Sequence, residues 1–192
     1  MTGLTDLLAR RRSTKAYRRD PIDADVLRDL VATVAGPSRH GRRGHGSAHA
    51  RYDVHITVIT HAVTGVAAAA YRYDQPLDDL VPVTTGDFLA AVADATIDAD
   101  WLADCPAALV LSADTAAADD AFADQGKDRG TRFCWIETGL IAQNVYLWAA
   151  ETGFGTVLLG GVDDDAIAAA AAQWLPPGHI VTAVMPVGTV PH

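Results

Sequence analysis

Residues 130–161 read GTRFCWIETGLIAQNVYLWAAETGFGTVLLGG, and the fold turns on how this stretch divides. Phe133, Trp135, Ile136, Leu140, Ile141, Val145, Leu147 and Trp148 recur at helical spacing from about Gly130 to Thr152. They cover more than one face, so the helix they predict is central or packed into a subunit interface. Gly153 is placed to cap it and Gly155 to end it. Val157–Leu159 then predicts a strand, Asp163 caps a last helix through Trp174, and Ile180–Val187 predicts the final strand. The glycines of 153–161 are not a dinucleotide fingerprint. Their spacing is not G-x-G-x-x-G, and they lead from helix to strand where that motif leads from strand to helix. Gly160-Gly161 falls between a strand and a helix, where glycine lets backbone N–H groups approach a ligand closely.

Working outward, Leu4, Leu7 and Leu8 predict a short helix behind Thr2 or Thr5, ending near Arg11. Pro21 and Asp23 introduce a second, carried by Val26, Leu27, Leu30, Val31 and Val34 and stopped by Gly36-Pro37. Ser38–Ala50 is a loop of Gly, Arg, His and Ser. Alternation from Tyr52 to Thr60 predicts a strand, and Asp74–Thr84 reads as a further loop. Thr85–Ala95 predicts a helix with Phe88, Leu89 and Val92 on one face, and Ala107–Leu111 a short buried strand. With no repeat and no linker, residues 1–192 read as one α+β domain.

The 192 residues are 49% hydrophobic and 20% charged, which suits a cored globule and not a disordered, collagenous or coiled-coil chain. The alanine-rich run Ile167–Ala172 falls far short of the ~20 apolar residues of a membrane span. The start, Met1-Thr2-Gly3-Leu4 leading to Arg10-Arg11-Arg12, lacks a secretory signal, so a cytoplasmic location is expected. Cys105 and Cys134 read as reduced core thiols without zinc-ligand spacing. The net charge of −9 is unevenly placed. Residues 1–51 hold 11 Lys/Arg against 5 Asp, a balance of +6, and the remainder holds 4 against 19, a balance of −15. Such asymmetry points to an anionic partner for the basic part.

Within that part, Arg11-Arg12-Ser13-Thr14-Lys15-Ala16-Tyr17 would, if extended, put Arg11, Ser13 and Lys15 on one side. Spacing alone fits either a solvated basic strand edge or a row of contacts to a long anion, guanidinium and hydroxyl on a phosphate and ammonium on a second negative centre. The loop cluster His40, His45 and His49 has no acid or cysteine beside it and is ringed by Arg39, Arg42 and Arg43, which argues against a metal. It reads as a mobile surface loop or an anion-binding lid. Nucleic acid is disfavoured by the overall acidity and the lack of interleaved aromatics.

Taken together, these segments resemble the FMN-dependent nitroreductase family over nearly the whole chain. Arg11–Tyr17 is similar to its R-x-S-T-K-x-[FY] motif, Asp20-Pro21-Ile22 to the phrase after it, and Gly36-Pro37-Ser38 to its P-S loop. Ala142-Gln143-Asn144-Val145 through Gly153-Phe154-Gly155, then Gly160-Gly161, then Pro186-Val187-Gly188 carry the most specific part of the likeness. Tyr71-Arg72-Tyr73-Asp74, Trp101–Pro106 and Arg129-Gly130-Thr131-Arg132-Phe133 most resemble the SagB-type branch, which includes dehydrogenases that oxidise peptide azolines.

The resemblance implies a nitroreductase-like α+β fold, a mixed, mostly antiparallel sheet flanked by helices, and a homodimer with flavin at the interface. It implies that Arg11 and Ser13 hold the FMN phosphate with Arg12 as helper, and that Lys15 sits near N1 and O2 of the ring, where positive charge raises the reduction potential. Gly160 and Gly161 would offer N–H groups to the N5 and O4 edge, and the partner subunit's Pro37 and Ser38 would reach over. The family usually continues past P-V-G with a further phosphate-contacting cation and an arm around the partner. The sequence given stops at His192, so Arg39, Arg42 or Arg43 would have to compensate. Azoline dehydrogenases also carry a Lys-Tyr pair just before R-G-x-R-[FY]. Here Gln125-Gly126 stands in its place, with Lys127 displaced as a candidate base or a solvated loop residue.

The expected activity is an FMN-dependent oxidoreductase acting on a small organic molecule, either as a nitroreductase using NAD(P)H or as a SagB-type dehydrogenase. The alternative is a catalytically inert partner subunit, with or without flavin, in a homo- or heteromeric pair.

Overall fold

The computed structural model describes residues 3–191 except 75, 78 and 98. In chain order the elements are α1 (Leu4–Arg10), β1 (Ile22–Asp23), α2 (Ala24–Ala35), β2 (Val54–Thr60), β3 (Val63–Thr64), β4 (Ala69–Asp74), β5 (Asp79–Thr85), α3 (Leu89–Asp94), β6 (Ala107–Ala113), α4 (Thr115–Ala121), α5 (Arg129–Thr152), β7 (Phe154–Gly155), α6 (Asp164–Ala171) and β8 (Ile180–Thr189). Six strands form one sheet in the order β5-β4-β2-β6-β8-β7, antiparallel at every ladder. A separate parallel pair joins β1 to β3. The expected mostly antiparallel α+β architecture is what is found.

The alternation of each strand divides the core between two sheet faces. Val54, Ile56, Val58, Leu109 and Leu111 pack under Leu27, Leu30, Val31 and Val34 of α2 and Ile141, Val145 and Trp148 of α5. Ile59, Ala70, Ala108 and Val110 pack on the other face under Leu89 and Val92 of α3, Leu102, and Ile167 of α6 with Trp174 beyond it. Asp23, Asp114 and Asp163 cap α2, α4 and α6 by accepting main-chain N–H bonds at 2.9 Å. Thr2, one of two expected caps for α1, lies outside the described residues, and Gly3 holds the cap position without a side-chain bond. Cys105 and Cys134 are free and buried, and burial pushes their thiols up to about 12 and about 11.

Four expectations are corrected. The Asp74–Thr84 stretch is not a loop. It closes a hairpin of β4 and β5, in which Asp79–Thr85 pairs back on Ala69–Asp74, with Gln75 and Asp78 outside the described residues. Pro82 argues against a strand in sequence but is accommodated because β5 is the sheet edge. The helix expected from Thr85 starts only at Leu89, since Thr85 pairs with Ala69 and Gly86 turns the chain at φ 142°. The last helix stops at Ala171, not at Trp174. Val157–Leu159 is not a strand: β7 is Phe154-Gly155, and only Leu159 bridges back, to Val184. The Leu158 N–H is taken instead by the Tyr146 hydroxyl, which leads to the candidate site.

Candidate active site

A buried backbone must find partners for its N–H and C=O groups. Around residue 156 those partners come from the N-terminal strap that follows α1. Thr14 N–H donates to the Thr156 carbonyl at 2.9 Å, and Leu158 N–H donates to the Tyr146 hydroxyl at 2.9 Å. Tyr146, from α5, also shares a hydrogen bond of 3.1 Å with the Ser13 hydroxyl, and the Arg11 guanidinium rests over its ring at 4.9 Å. One aromatic side chain thus joins the strap to the segment leading into Gly160-Gly161.

The strap is held by close packing as well. A Cβ on Gly155 would stand 2.8 Å from Thr14 Cγ2 and 2.7 Å from Val190 Cγ1, so only glycine lets the strap lie against β7. Tyr17 is buried and donates to the Thr14 carbonyl at 2.7 Å, and burial raises its phenol far above the ordinary value.

Arg11 and Ser13 are therefore brought together on Tyr146, and among the described residues no hydrogen bond or ion pair joins Lys15 to them. Arg12 joins Arg10, Tyr146, Ala149, Ala150, Gly153 and Phe154 around a cleft of about 190 Å³. Arg10 pairs with Asp6 at 2.8 Å, whereas Arg11, Arg12 and Lys15 have no ion pair among the described residues. Gly160 is exposed with open space at its Cβ position, and the Gly161 carbonyl accepts Ile97 N–H at 2.9 Å. Cations without an ion pair, a serine hydroxyl positioned by Tyr146 and an open glycine backbone suit an elongated anion with a flat polar edge, and an FMN molecule fits that description.

The remaining candidates lie elsewhere in the chain. Pro37 bridges to Arg43, and Ser38 hydrogen-bonds the Arg42 carbonyl, closing a tight turn after α2. Lys127 is a solvated loop residue, 90% exposed, and its one ion pair among the described residues is with Asp128 at 3.9 Å. Arg43 rests over the Tyr52 ring at 4.9 Å, not beside the Arg11–Ser13 cluster.

The three loop histidines do not converge. His45 is buried between the Val34 carbonyl at 3.2 Å and Glu137 at 3.4 Å, and His49 packs edge-on against Phe122. The Ser38–Ala50 stretch is accordingly anchored rather than loose, with Asn144 of α5 donating to the Gly44 carbonyl at 3.2 Å.

The reading from sequence missed Tyr146. Its only sequence signal is a position three residues past Gln143 in the helix, where an aromatic looks like ordinary core.

A strap, an α5 tyrosine and a glycine-lined edge of an antiparallel sheet thus stand together beside a cleft lined by arginines. Residues 8–189 match the model of the nitroreductase family. MJ1384 of Methanocaldococcus jannaschii, assigned by name to the nitroreductases, is 30% identical over 165 residues, 85% of this chain and 81% of the relative. The chain belongs to the nitroreductase family, whose members are flavin-dependent oxidoreductases. Two of the solved structures that share the fold come from Ralstonia eutropha and E. coli. The first has a TM-score of 0.79 at 21% identity and covers 100% of this chain and 84% of its own. The other, a chain of the E. coli microcin synthetase McbBCD complex with truncated pro-MccB17 bound, has 0.77 at 20% identity, covering 95% and 70%. Among the described residues no helix is long and apolar enough to cross a membrane.

Proposed function

We propose that this chain is an FMN-dependent oxidoreductase working as a homodimer, which takes electrons from NAD(P)H and delivers them to a small nitro or quinone-type acceptor. The single observation that carries the reading is the Ser13–Tyr146–Leu158 link with Arg11 stacked on it. When bound, FMN supplies N5 as the atom that accepts and donates hydride. Arg11 and Ser13 would hold its phosphate, with Arg12 on the adjoining cleft wall. Lys15 would supply positive charge near the ring, favouring the reduced anion. Gly160 and Gly161 would offer backbone N–H groups to the polar edge of the ring, and the partner subunit's Pro37 and Ser38 would complete the pocket.

The reductive direction needs no protein base. A SagB-type dehydrogenase needs one at the substrate, and the solvated position of Lys127 does not provide it. Trp135, Ile136 and Leu140 of α5, exposed at 48%, 54% and 43% in the protomer, form an apolar face of the kind a dimer buries, which supports the homodimer.

Stopped-flow mixing of FMN-loaded protein with NADPH or NADH tests the proposal. The flavin band is expected to bleach with at least one donor and to return on adding a nitroaromatic or a quinone. No bleaching with either donor would make the chain an inert flavin-binding subunit.

A further inference from the structure

The ladder between β2 and β4 runs from Thr60 opposite Ala69 to Thr57 opposite Arg72 and stops there. Both strands continue, β2 back to Val54 against β6 and β4 on to Asp74 against β5. They therefore part, and the gap is a cleft of about 130 Å³ lined by Ala35, Arg43, His55, Ile56, Arg72 and Tyr73. Arg43 is steered into it by Tyr52, whose ring lies under the guanidinium and whose hydroxyl accepts the Arg43 N–H at 3.2 Å.

The charges around this cleft are one-sided. Arg10, Arg18, Arg28 and Arg51 each reach a carboxylate within 3.0 Å, but among the described residues neither Arg43 nor Arg72 has one. Asp53, beside His55 in sequence, is already gripped through both oxygens by Arg51 at 3.0 and 3.2 Å. Two guanidinium groups converging on a cleft without a counter-charge repel each other unless an anion joins them.

His55 is fixed by its neighbours. Its ring lies 4.7 Å from that of His179, whose Nδ1 is 3.2 Å from the Ser112 hydroxyl. Partial desolvation first, then His179, Arg43 and Arg72, lower the pKa of the surface-exposed His55 against the opposing pull of Asp53. Burial and Arg72 lower that of His179 against Asp114 and Ser112. At neutral pH His55 is thus a neutral N–H donor beside the two cations.

We propose that this cleft is an anion site for a phosphate-class dianion, held between the forks of Arg43 and Arg72 with His55 as a further donor. Two guanidinium charges match the roughly −1.5 to −2 of a phosphate monoester at pH 7, and their planar forks match its oxygens. Three strand spacings, about 15 Å, separate the β2–β4 gap from β7, so within one protomer the site is distinct from the Arg11–Ser13 cluster and stands whether or not FMN binds there.

Titration of the flavin-loaded protein with inorganic phosphate, followed by calorimetry and by the imidazole proton resonances, tests it. The resonance lost in His55→Gln should titrate at higher pH when phosphate is saturating, because a nearby anion favours the imidazolium. Arg43→Gln and Arg72→Gln should each weaken phosphate binding at least tenfold, and Arg72→Lys, which keeps the charge but loses the fork, should weaken it several-fold. Flavin should stay bound throughout the phosphate titration, its absorbance unchanged. Methyl phosphate should bind like phosphate, and malonate at least tenfold more weakly. Phosphate affinity that survives Arg72→Lys and both glutamine variants, or phosphate binding that releases the flavin, overturns the assignment. So does malonate binding as tightly as phosphate.

Discussion

Tyr146 carries more of the proposed site than any motif residue, because it meets Ser13, Arg11 and the backbone of Leu158 at once. Tyr146→Phe keeps the ring and removes the hydroxyl. It should cost about 1 to 2 kcal/mol of stability in urea unfolding, since the Leu158 N–H and Ser13 lose their partner. It should also loosen FMN, because the strap is no longer tied to the glycine edge. Arg11→Ala combined with Ser13→Ala should weaken FMN on the order of 1.5 to 3 kcal/mol per lost charged hydrogen bond, read from quenching of flavin fluorescence.

The lowered pKa values of His55 and His179 make a prediction of a different kind. Both are neutral in the fold and protonate more readily unfolded, so their stability contribution is intact above the ordinary histidine range and is lost as pH falls through it toward the depressed folded values. Urea midpoints should drop between pH 7.5 and 5.5, and less steeply in His55→Gln. An identical slope in that variant would remove His55 from the explanation.

At the scale of elements, legibility followed how strongly local pattern and tertiary role agreed. Helix α2, with Asp23 at its start and Gly36 at its end, and helix α5, with its unbroken apolar period, stand where the sequence puts them. The β4–β5 hairpin was illegible because Pro82 reads as a strand breaker until its edge position is known. Residues 157–159 look like a strand from composition, but only Leu159 bridges to the sheet, at Val184, while the Thr156 carbonyl just before them goes to Thr14 and the Leu158 N–H to Tyr146, both far off in sequence. The basic motif was visible as a row of like-facing side chains, whereas the tyrosine that organises it was not. Gly155→Ala tests the strap's seating. Its Cβ would collide with Thr14 and Val190, so about 1 to 3 kcal/mol of stability and a measurable share of FMN affinity should be lost together.

For the whole molecule, the uneven charge acquires a structural meaning. The +6 segment supplies the strap and the Arg43 side of the second cleft, while the −15 remainder is largely scaffold and solvated surface. The exposed apolar face of α5 is the counterpart on the assembly side. Ile136→Asp with Leu140→Asp should convert a dimer to a monomer in sedimentation velocity, and flavin should be lost with it if the pocket is completed across the interface. The most direct measurement is an FMN titration of the purified protein, followed by absorbance after removal of free flavin. The account predicts one FMN retained per chain with a perturbed flavin spectrum, and a retained yellow colour that the Arg11→Ala, Ser13→Ala double variant loses. A wild-type protein that stays colourless after saturation with FMN would contradict it.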